Sequence, residues 1–78
     1  MNHFLLIYDR TAGRLLKLQE FPESGWDEAL RQRNAFELEE REHPNIEVIV
    51  LSGASLEQVK STHARYFKSL RELATVTP

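Results

Sequence analysis

From His3 to Asp9 the chain reads HFLLIYD, apolar at almost every position. A half-buried strand would alternate, so this run predicts a strand covered on both faces and central in a sheet. Arg14 to Phe21, RLLKLQEF, predicts a second strand with more polar interruption. Between them Asp9 favours a turn, and Gly13 suits the left-handed position that closes a short hairpin with a bulge. We label these strands β1 (residues 3–9) and β2 (14–21), and Pro22 ends the second.

A helical period follows. Trp26, Ala29, Leu30, Arg33 and Phe36 share one face, and Leu38 lies off it. Ser24 is the expected cap, with Asp27 completing a weak capping box, and Asp27–Arg31 and Glu37–Arg41 are expected pairs four residues apart. Pro44 disfavours helical geometry at His43, so this helix, α1, should end there. Ile46 to Leu51, IEVIVL, is rich in β-branched residues and predicts β3. After it Leu56, Val59, His63, Tyr66, Phe67, Leu70 and Leu73 repeat at helical steps, which predicts α2 over 56–73, with Ser55 and Gln58 as its capping box.

The order β1-β2-α1-β3-α2 with a right-handed crossover places β3 on the far side of β1. The expectation is one α+β domain over 1–78, a two-layer sandwich with an antiparallel sheet of order 2-1-3. Ile46, Val48 and Val50 of β3 point one way with Leu5 and Ile7 of β1. Phe4, Leu6, Tyr8, Ile49 and Leu51 point the other. Both faces are therefore apolar. The second is covered either by α2 or by a second copy of the chain, and two layers favour the copy. Phe4, Leu6, Tyr8, Ile49 and Leu51 are then the expected interface.

Composition narrows the function classes. Seventy-eight residues without cysteine exclude disulfides and thiolate metal sites, so a domain this small depends on its core or on association. The longest apolar run, Phe4 to Tyr8, is too short to span a bilayer or to serve as a signal peptide, which predicts a soluble cytoplasmic protein that does not engage membranes. A net charge of −2 argues against a duplex-DNA binder. The charge is unevenly spread. Residues 20–47 carry nine acids against three basic groups, while both flanks are mildly basic.

Candidate chemistry is sparse. Ser52, Gly53 and Ser55 join β3 to α2, and a strand-to-helix junction with hydroxyls can hold an anion. The simpler reading is a turn glycine and a helix cap, since the glycine pattern of a phosphate loop is missing. His63 and Tyr66 share a helix face, and with Asp9 at the end of β1 they form a possible polar site. A partly buried structural histidine explains the same spacing. Glu40 and His43 have a metal-binding step, but a single such pair beside Pro44 is better read as a solvated helix end. Arg10, Arg14 and Lys17 could meet nucleic acid, yet no aromatic is interleaved with them.

No cofactor or metal is expected. The pattern predicts a small non-enzymatic interaction module, a homodimer through the sheet face with room for another protein partner. The alternative is a binder of a small anion or nucleic acid at the 52–55 turn and the basic patches. An enzyme using His63 is the third class.

Overall fold

A computed structural model describes residues 1–67 of the chain. β1 spans Asn2–Asp9, β2 spans Arg14–Phe21 and β3 spans Ile46–Gly53. They form one antiparallel sheet of order β2-β1-β3, the α+β class and strand order that the pattern predicts. β1 is central for the reason its composition implies: Phe4, Leu5 and Leu6 have no exposed surface. Among the described residues, no helix is long and apolar enough to cross a membrane.

The hairpin closes as expected. Asp9 Oδ1 accepts from the backbone N–H groups of Thr11 and Ala12, both at 3.0 Å, and the Gly13 N–H donates to Asp9 O at 2.8 Å. Gly13 sits at φ +67°, where a side chain would be strained. Ile7 faces Lys17 while Tyr8 faces Leu15, so Leu16 is the extra residue of a bulge and is half-exposed.

Those hydrogen bonds hold the Asp9 carboxyl below its ordinary range, the Ala12 N–H contributing most. The N-terminal ammonium does the same for Glu23 at 2.6 Å. A carboxylate more acidic in the folded state stabilises the fold above its unfolded pKa, and that contribution disappears as pH falls through the folded value. We expect the urea midpoint to fall below about pH 4, and less steeply in Asp9→Ala. Equal slopes for the two proteins would show that the Asp9 turn adds no acid sensitivity.

The helices differ from the expected layering. A 3-10 turn over Glu23–Gly25 precedes α1, Trp26–Glu39. α1 lies on the face of Leu5, Ile7, Phe21 and Val48, where its Ala29 is fully buried. α2, Leu56–Thr62, and a 3-10 turn over Ala64–Phe67 lie on the opposite face, where Val59, Tyr66 and Phe67 pack on Phe4 and Leu6. The chain thus closes both faces of its own sheet, stacking helix, sheet and helix in place of two layers. Phe4, Leu6, Tyr8, Ile49 and Leu51, the expected interface, lie under or against this second helical layer. Phe4 and Leu6 are buried there and Tyr8, Ile49 and Leu51 partly buried, so cover for this face comes from within the chain.

Two helix boundaries also differ. Ser24 makes no cap, because Gly25 N–H bonds to Pro22 O at 2.8 Å in a turn that delays α1 until Trp26. The pairs on α1 are Glu28–Arg31 at 2.8 Å and Arg33–Glu37 at 2.9 Å, not those expected. α2 stops at Thr62, whose hydroxyl bonds back to Gln58 O at 3.1 Å, and His63 leaves helical geometry at φ −128° and ψ 50°. This break rotates Tyr66 and Phe67 onto the sheet. The predicted continuation of α2 through Leu70 and Leu73 lies outside the described residues.

Candidate functional site

The turn after β3 is internally occupied. Ser55 Oγ accepts from Gln58 N–H at 3.2 Å, the forward half of the predicted capping box, while Gln58 Oε1 accepts from Ala54 N–H at 2.6 Å, one residue before the cap. A Cβ on Gly53 would lie 2.8 Å from Val59 Cγ2, so close packing of α2 explains this glycine. Ser52 turns elsewhere, to His3.

His63, Tyr66 and Asp9 are given separate partners. His63 Nδ1 lies 2.9 Å from the Thr62 hydroxyl. Tyr66 donates its O–H to Glu47 Oε2 at 2.5 Å, and Arg65 bonds the other oxygen of that carboxylate at 2.9 Å. The Tyr66 ring meets Tyr8 edge-on at 5.1 Å between centroids. Burial, then the carboxylate, raise the Tyr66 pKa, so the phenol stays protonated and donating. Glu47 therefore fastens the second helical layer to β3. Asp9 is committed to its turn and to Asn45 Nδ2 at 3.3 Å.

A cluster at the other end of the sheet was not legible from the sequence. The register of β1 and β3 sets His3 opposite Ser52. His3 is buried, with Nδ1 2.7 Å from Ser52 Oγ and Nε2 3.1 Å from the backbone oxygen of Glu23. The Trp26 ring lies 5.0 Å away and is partly exposed. A carbonyl oxygen only accepts, so Nε2 carries the hydrogen and Nδ1 presents its lone pair to the Ser52 hydroxyl.

The fourth feature is the outer edge of β3. Arg10 N–H bonds Asn45 O at 2.8 Å, in register with the β1–β3 ladder. Hydrogen-bonded pairs alternate in an antiparallel ladder, so Glu47, Ile49, Leu51 and Gly53 direct their backbone groups to β1. Ile46, Val48, Val50 and Ser52 direct theirs outward. Ile46 N–H is taken by His43 O at 3.0 Å, and among the described residues no strand pairs with the rest. Beside this edge runs an open groove of about 620 Å³, with Arg33 and Glu37 from α1 and Glu40 and Arg41 from the turn after it on one side and Val48 and Ile49 on the other.

No family model, curated protein or solved structure matches the chain. Its function therefore has to be argued from these four places alone. Among the described residues, no group of three or more metal-ligating side chains converges. Glu40 and His43 meet only each other, at 2.9 Å.

Proposed function

We propose that the chain acts by association, with a second copy adding its β3 to the outer edge of β3. The observation that carries this is the outward row of backbone groups at Val48, Val50 and Ser52. An unpaired edge of β-branched residues without a bulge is a template for another strand. The β2 edge is a poorer template, since Leu16 bulges from it and Arg14, Lys17 and Glu20 line it with charge.

A second copy suits the edge because a two-fold axis at Ile49 brings each Val48 opposite the partner's Val50. Both then exchange backbone bonds, with valine against valine on one face and the two Ile49 side chains together on the other. The groove wall formed by α1 and the turn after it carries both signs, Arg33 and Arg41 with Glu37 and Glu40. A mixed-charge wall can match its own two-fold image, whereas a strongly acidic or basic partner meets repulsion from half of it. The readings as an anion or nucleic-acid binder find less support, because the Ser52 hydroxyl bonds His3, the Ala54 N–H bonds Gln58 and the Ser55 hydroxyl caps α2.

Sedimentation equilibrium across a concentration series tests the proposal. The wild-type chain is expected to approach twice its 9.1 kDa mass at high concentration. Val50→Pro removes an outward N–H and leaves the β1 ladder intact, a position where an edge strand tolerates proline. It should remain folded by circular dichroism and dimerise at least about tenfold more weakly, a difference of about 1.4 kcal/mol. Equal association by folded Val50→Pro would remove the β3 edge as the interface. A wild-type chain that stays monomeric at millimolar concentration would remove self-association altogether.

A further inference from the structure

We infer that Ser52 and His3 form a nucleophile–base pair able to take an acyl group from activated esters, an activity beyond the association proposed above. The required geometry is a nucleophile bonded to a base that a third group orients. Ser52 Oγ lies 2.7 Å from His3 Nδ1, and the Glu23 carbonyl at 3.1 Å from Nε2 fixes the tautomer that leaves Nδ1 free to accept a proton. The base is buried and held on its far side, while the nucleophile is exposed. The side chain of Glu23, whose backbone oxygen bonds Nε2, is itself bonded to the N-terminal ammonium at 2.6 Å. Trp26, 43% exposed beside His3, offers a flat apolar surface for an aryl leaving group.

In the reaction, Ser52 Oγ bonds to the acyl carbon as its proton passes to His3 Nδ1. The bond from that carbon to the aryl oxygen breaks, and the leaving phenolate takes the proton from Nδ1. Water then attacks the acyl carbon as it gives a proton to Nδ1, the bond from that carbon to Ser52 Oγ breaks, Oγ takes the proton from Nδ1, and the carboxylic acid leaves. Base assistance and positioning are what this pair supplies, so it acts on esters with good leaving groups.

Diisopropyl fluorophosphate is the direct probe. It forms a bond from Ser52 Oγ to phosphorus, the phosphorus–fluorine bond breaks, fluoride leaves, and His3 takes the hydroxyl proton. Peptide mapping after timed exposure should show Ser52 labelled at least about 100-fold faster than Ser55 or Ser61 of the same chain. His3→Gln keeps an acceptor toward Ser52 and a donor toward Glu23 but no base, and should slow labelling of Ser52 by about 100-fold with an unchanged melting temperature. Serines labelled alike, or a folded His3→Gln labelled at the wild-type rate, would overturn the inference. Should His3→Gln fail to fold, the ratio of Ser52 to Ser55 in the wild-type chain decides.

Discussion

Leu6→Ala is expected to cost about 2–5 kcal/mol, a large part of the stability of a domain this small. Leu6 has no exposed surface and sits in the cluster formed with Phe4, Val59, Tyr66 and Phe67. Removing its branched end leaves a cavity between β1 and the second helical layer. The backbone around it cannot relax freely, because β1 is paired on both sides. The cost should appear as a lower urea midpoint with an unchanged slope. Leu38→Ala is the control: Leu38 is 64% exposed, and the change should stay within about 0.5 kcal/mol. A loss below about 1 kcal/mol for Leu6→Ala would mean that the helical segments after β3 do not seat on this face.

Gly53→Ala should also destabilise, by about 1–3 kcal/mol, through crowding and not through backbone strain. Gly13 is the glycine with a positive φ, so Gly53 does not need left-handed freedom. Its added Cβ would meet Val59 Cγ2 at 2.8 Å and Gln58 Oε1 at 3.0 Å. Gln58 is exposed and can swing aside, although it then gives up its bond to Ala54. Val59 is 1% exposed and has nowhere to go. Shortening Val59 should therefore recover part of the loss, so Gly53→Ala with Val59→Ala should cost less than the separate costs combined. Strict additivity would place the crowding elsewhere. A glycine retained for ligand approach would instead tolerate alanine without loss of stability.

Local chemistry made the sheet readable. The apolar run of β1, the Asp9 to Gly13 turn and the β-branched run of β3 each carry their own signal, and the crossover rule orders them. The faces of the helices are a different matter. Nothing in the short connection from Gly53 to Leu56 states which side of the sheet α2 will take. The apolar positions on both faces were compatible with cover from within the chain or from a copy. The end of α2 was hidden because its apolar period continues past Thr62. The competing bond from the Thr62 hydroxyl to Gln58 O is visible only in the structure.

The candidate sites follow the same division. Ser55 as a cap could be read from the spacing to Gln58, a local signal. Glu47 holding Tyr66 and Arg65 could not, since these partners are eighteen or more residues apart and meet through packing. In the sequence His3 reads only as the start of an apolar run. Its chemistry comes from strand register: once Asp9 stands opposite Ile46, stepping along the ladder brings His3 to Ser52. The outward row of β3 likewise depends on which pairs are hydrogen-bonded, a parity fixed by the single bond from Arg10 to Asn45.

Backbone amide exchange at Val48 and Val50, followed by NMR at rising protein concentration, examines that edge atom by atom. Ile49 and Leu51, whose N–H groups face β1, serve as protected references at every concentration. If β3 pairs with β3 of a second copy, the Val48 and Val50 amides become protected as the dimer forms and exchange freely on dilution. Free exchange at Val48 and Val50 under conditions where the protein is dimeric would contradict the edge assignment, and would place the association elsewhere on the molecule.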